Sequence, residues 1–173
     1  MQHEQIARLL GVPPEELAEV PVTSISGART LYKRMKAWDY SAIIETAMRE
    51  CGVRTKEGAR ELLDAFLQWF SLIPETTSDH PLQMLRSVDR IWHAMILNTK
   101  FYREFCNEFV GHFVDHNPLD VTDADAPKKE YARHTLSRLR TVYGGRMSKA
   151  LCKLRENVTC CYFQRCGHRQ AAV

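Results

Sequence analysis

The segment SVDRIWHAMILNTKFYREFCNEFVGHFVDHNP, residues 87–118, holds the side chains best suited to chemistry. Asp89 and His93 stand four residues apart. On an α-helix that spacing puts a carboxylate and an imidazole on one face, one turn from each other. A carboxylate so placed accepts the imidazole N–H, fixes its tautomer and raises its basicity, as in general-base sites and around metal sites. Cys106 and His116 follow in the same segment. Asp89, His93, Cys106 and His116 together offer one oxygen, two nitrogens and one sulfur, a donor set that zinc and other transition metals accept. Two readings are open at this point. In one, the four donors converge on an ion. In the other, His93 pairs with Asp89 in a buried polar network, His116 caps a helix end and Cys106 packs as a small hydrophobe. The four-residue spacing predicts that Asp89 and His93 are mostly buried and within hydrogen-bonding reach.

Known signatures narrow the chemistry. The chain has no C-x-x-C, no H-E-x-x-H and no glycine-rich phosphate or dinucleotide loop. It also lacks the G-x-S-x-G nucleophile turn. A Cys106 nucleophile would need an exposed thiol in an electropositive cleft. The surrounding YREFCNEFV supplies aromatic rings and glutamates instead. Three aspartates, Asp120, Asp123 and Asp125, lie in a loop without the glycine and distal glutamate of a calcium-binding hand, so they read as a solvated acidic loop.

The C-terminal part carries a second set of donors and most of the positive charge. Cys160, Cys161, Cys166 and His168 are a second candidate zinc set, though a fourth ligand is not evident beside the Cys161, Cys166 and His168 trio. Residues 128–173 hold 11 Lys/Arg against 2 Asp/Glu, while residues 1–127 hold 13 against 19. The net charge of +3 thus conceals a basic end of +9 and an acidic body of −6. Such a split speaks of partners more than of fold. Several of Arg138, Arg140, Lys149 and Lys153 are expected on solvated helix faces. Arg155, Arg165 and Arg169 interleave with Tyr162 and Phe163, a mixture suited to phosphates and bases or to an acidic protein groove. These nine residues form the expected partner-binding set, directed at an acidic protein surface or nucleic acid. Alternatively, the basic end neutralises the acidic body of its own molecule.

Elements that would position these groups are almost all helical. Ile6, Leu9 and Leu10 share a side of a first short helix, followed by the acidic turn PPEELAEV. This opening looks like a helix-turn-helix, but its second helix offers Glu15, Glu16 and Glu19 where DNA reading needs basic or amide groups, so it reads as a structural hairpin. VTSISG reads as a loop. Helices are expected over 28–38 and from 41 to Gly52. Thr55 is placed to cap a longer helix with Ala59, Leu62, Leu63, Phe66, Leu67 and Phe70 inward. Further helices are expected over 82–97, 100–110, 127–143 and from Ser148 to about 155. No alternating run is long enough for a strand.

The expected fold is therefore all-α: an irregular bundle of six to eight short helices without a substantial sheet, residues 1–145 forming one domain and 146–173 a basic, cysteine-rich helix and tail. No apolar run approaches the roughly 20 residues of a membrane span. The N-terminal residues show no secretory pattern, so the six cysteines read as reduced thiols of a cytoplasmic protein.

The central segment also resembles a known family. V-D-x-x-W-H (Val88, Asp89, Trp92, His93), I-L-x-T (Ile96, Leu97, Thr99), Y-x-x-F-C (Tyr102, Phe105, Cys106) and G-x-F-x-x-H-x-P (Gly111, Phe113, His116, Pro118) are similar to the core of the glycine-rich domain-containing protein-like family. YARHTLSRLRTVYGG, residues 131–145, is similar to the helix that follows there. The resemblance covers about a third of the chain and implies a helical fold with no established reaction. The glycine-rich region of the plant members has no counterpart, since the chain has 8 glycines and no glycine tract. On these grounds the chain reads as a small interaction or adaptor protein whose basic end docks on an acidic partner. The alternative is a metal-binding protein or metal-dependent enzyme centred on Asp89, His93, Cys106 and His116, with zinc as the possible ion.

Overall fold

The computed structural model describes residues 22–75, 82–118, 128–152 and 161–163. Among them lie seven α-helices: α1 (Val22–Lys36), α2 (Ser41–Arg49), α3 (Lys56–Phe70), α4 (Arg86–Leu97), α5 (Thr99–Phe109), α6 (Lys128–Tyr143) and α7 (Lys149–Cys152). Three strands of two or three residues, β1 (Leu82–Met84), β2 (Asn117–Pro118) and β3 (Cys161–Phe163), form an antiparallel sheet in the order β1-β3-β2. The architecture is the all-α irregular bundle expected, with this small sheet at one edge. None of the described helices is long and apolar enough to cross a membrane.

The α3 helix is the centre of the bundle and packs against α1, α2, α4 and α7. Thr55 caps it as expected: its backbone is extended and its Oγ1 accepts the N–H of Gly58 at 3.0 Å. The helix amide so satisfied has no partner in its own helix. Thr55→Ala is therefore expected to cost about 1 kcal/mol, read as a lower urea midpoint with unchanged slope. Beyond its first turn the expected stripe widens. Ala65, Gln68 and Trp69 are buried along with Leu63, Phe66, Leu67 and Phe70, because neighbours cover the helix on several sides. Trp69 meets Trp92 of α4 at a ring separation of 5.1 Å, and Phe70 meets Phe105 of α5 at 4.9 Å. Full burial of each such side chain contributes roughly 1.5–3 kcal/mol.

Three local expectations are corrected. VTSISG is the first part of α1 rather than a loop. Serine and threonine favour turns through local hydrogen bonds, but here the packing of α1 on α3 and α6, with Ala28 fully buried, overrides that preference. Residues 82–97 are not one helix: β1 precedes α4, which starts at Arg86. In β1 the Gln83 N–H donates to Thr135 Oγ1 at 2.7 Å, and its carbonyl accepts the Trp69 indole N–H at 2.9 Å. Side chains from α6 and α3 thus satisfy the outer edge of the strand. Strands are present where none was expected, and the central one comes from the C-terminal part. The N-terminal hairpin, the loop holding Asp120, Asp123 and Asp125, and residues 153–160 and 164–173 lie outside the described residues.

Candidate metal centre

Two elements build the site. The α4 helix carries Asp89 and His93 on one face, and the segment after α5 brings in His116. Gly111 ends α5 with a positive φ of 79°, a conformation that favours glycine. The chain then turns back along α4. A buried relay fixes its path: the Trp92 indole N–H donates to Tyr102 Oη at 2.8 Å, and that hydroxyl donates to the Val114 carbonyl at 2.6 Å. Trp92, Tyr102 and Val114 are all buried. Two residues beyond Val114, the His116 ring stands edge-on to Trp92 with centroids 4.7 Å apart.

Three donor side chains converge there. Asp89 Oδ1 is 2.9 Å from His116 Nε2, Asp89 Oδ2 is 3.3 Å from His93 Nε2, and the two Nε2 atoms are 3.1 Å apart. With Asp89 ionised, the three contacts compete for the same hydrogens and lone pairs. Each Nε2 carries either one hydrogen or one lone pair. If both are protonated, both donate to Asp89 and the two N–H groups oppose each other. If one is not, its lone pair faces either the carboxylate or a single shared hydrogen. A cation among the three satisfies every lone pair at once. The separations suit one. Ligands about 2.0–2.1 Å from an ion stand about 3.3–3.4 Å apart when tetrahedral and about 2.8–3.0 Å apart when octahedral.

The setting is asymmetric. Asp89 is buried, with 4% of its side chain exposed, and His116 retains 14%, whereas the His93 side chain is 52% exposed. The expectation of a mostly buried pair is thus right for Asp89 and corrected for His93. His93 stands at the edge of α4, where an open depression of about 290 Å³ lies between it, Arg90, Ile96 and Leu97 and the end of α2 at Glu50 and Cys51. Burial pushes the Cys51 thiol up, with the Glu50 and Asp89 carboxylates adding to it. Nothing in the sequence pattern marked Cys51 as a neighbour of the site.

Cys106 does not join the three. It is fully buried on α5. Burial pushes its thiol up, against hydrogen bonding with the Val114 backbone and Tyr102. It is the small hydrophobe of the second reading. Cys106 is accordingly expected to resist a thiol reagent until the chain unfolds, while exposed Cys152 reacts in the native state; mass mapping of labelled peptides checks this. His116 bonds to Asp89 rather than capping a helix.

Among the expected partner-binding residues, Lys149 is exposed. Arg138 and Arg140 are half-buried. Arg138 follows buried Thr135 by three residues and precedes buried Val142 by four, on a row that α6 turns inward as it packs against β1 and α1. The side chains of Cys160, Cys161, Cys166 and His168, and those of Lys153, Arg155, Tyr162, Phe163, Arg165 and Arg169, lie outside the described residues.

A family model described as UCP032817-like matches residues 32–141. The match contains Asp89, His93 and His116 together with Trp92, Tyr102 and Val114. No curated protein and no solved structure matches the chain. With more than half of its length matched, the chain belongs to the UCP032817-like family.

Proposed function

We propose that this protein binds a divalent transition-metal ion through Asp89, His93 and His116. The observation that carries the reading is the convergence of one ligand atom from each of Asp89, His93 and His116 within 4.8 Å. Two imidazoles and one carboxylate suit zinc and equally suit iron(II). Three protein ligands leave room on the ion for water or a substrate atom, and half-exposed His93 opens the site to solvent. An ion there supplies a Lewis acid and lowers the pKa of bound water, the basis of metal-assisted hydrolysis.

The test is calorimetric titration of zinc into metal-free, tag-free full-length protein, with one ion per chain expected. His93→Ala should abolish tight binding while changing stability by no more than about 0.5 kcal/mol, since a half-exposed side chain holds little of the core together. A folded His93→Ala protein that binds zinc like the wild type would contradict the site.

The charge division favours a second reading, in which the basic end also docks on an acidic partner. Residues 128–173 carry +9 against −6 on the rest. Docking by charge weakens as salt rises. Reversal of exposed Arg133 and Lys149 to Glu should lower partner recovery at low salt, and unchanged recovery would oppose the reading. Arg138 is unsuited to this test because its half-buried place ties it to the fold. The similarity to the glycine-rich domain-containing protein-like family adds no reaction to either reading.

A further inference from the structure

We infer that the C-terminal strand β3 positions the metal centre, so that ion binding and docking of the C-terminal segment reinforce each other; the inference rests on the metal reading above. The sheet order is β1-β3-β2. β1 leads into α4, the source of Asp89 and His93, and β2 begins at Asn117, directly after His116. The two ligand-bearing segments are thus each continuous with an outer strand, and β3 lies between them. Tyr162 pairs with Gln83 on one side and with Asn117 on the other.

The direction of the backbone groups makes this joint specific. Gln83 gives its N–H to Thr135 and its carbonyl to Trp69, both away from β3. Its pairing with Tyr162 is therefore the non-hydrogen-bonded kind, and Tyr162 turns its own N–H and carbonyl toward Asn117. His116 consequently sits between two anchors. On one side Tyr102 holds the Val114 carbonyl, and on the other β3 holds Asn117. The far edge of the sheet is itself pinned through Gln83 to α3 and α6. Loss of β3 leaves His116 anchored on one side alone. By linkage, an ion that fixes His116 against α4 presets β2 for β3 and favours the docked C-terminal segment by the same factor.

The test compares wild type, Tyr162→Val and Tyr162→Pro as full chains. Valine keeps the backbone donor and suits a strand, whereas proline lacks the donor and is excluded from central strands. Zinc affinity of Tyr162→Pro should fall about 10- to 100-fold, the usual loss when an outer support of a metal site is removed. Tyr162→Val should stay close to wild type. In the wild type, added zinc should slow amide exchange at residues 161–163. Wild-type affinity in a folded Tyr162→Pro protein would overturn the inference and leave the metal reading standing. If Tyr162→Pro fails to fold, the exchange experiment decides, and zinc binding without any change at 161–163 overturns it. A wild-type protein that binds no ion removes both.

Discussion

Asp89→Ala is expected to abolish tight metal binding and to cost about 1–3 kcal/mol of stability even without metal. Asp89 is the hub of the cluster and contacts both imidazoles. Its removal takes from largely buried His116 the carboxylate that receives its N–H and leaves half-exposed His93 as the remaining neighbour of that nitrogen, so part of the desolvation penalty of a buried polar group returns. A second loss appears when metal is added. An ion present at a hundred times its dissociation constant stabilises the wild type by about 2.7 kcal/mol and gives the variant nothing. In a chain of this size 1 kcal/mol corresponds to about 2–4 °C. Zinc should therefore raise the wild-type Tm by roughly 5–10 °C and leave Asp89→Ala unmoved. Asp89→Asn separates the two effects, because an amide of the same size can still hydrogen-bond His116 but has no charge for the ion. It should recover stability and not affinity. Thermal melts with and without zinc read all three proteins.

Tyr102→Phe is the second large effect and acts from outside the cluster. The hydroxyl both receives the Trp92 indole N–H and donates to the Val114 carbonyl. Phenylalanine keeps the ring and strands two buried groups, a cost of roughly 2–4 kcal/mol. It also frees the turn that delivers His116, so zinc affinity should fall about 10- to 100-fold. A purely structural role for Tyr102 would lower the melting temperature and leave affinity alone. A cobalt-loaded sample distinguishes the two, because a displaced His116 alters the absorption of the bound ion while uniform destabilisation does not.

What was legible in the sequence followed the range of the forces involved. The α3 helix was readable from Thr55 and the 3.6-residue repeat, since cap and stripe are local. The Asp89–His93 pair was readable from one helical turn. His116 was nameable as a donor, but its meeting with His93, 23 positions away, depends on a turn fixed by Tyr102 and Val114. Cys106 looked equivalent to His116 in the donor list, yet its helix turns the thiol into the core beside Tyr102. Half-exposed His93 reflects the depression left between α2 and α4, a product of packing rather than of pattern. β1 is three residues long and wholly buried, too short to show a period. β3 owes its place to partners far along the chain. On α6, charge alone suggested solvent for Arg138, while the neighbouring rows decided otherwise.

The most direct measurement of the central claim is a crystal structure of the zinc-loaded full chain with anomalous data across the zinc edge. One strong anomalous peak is expected about 2.0–2.2 Å from an Asp89 carboxylate oxygen, His93 Nε2 and His116 Nε2. A peak instead among Cys160, Cys161, Cys166 and His168, or no peak within reach of Asp89 in protein soaked at saturating zinc, would contradict it.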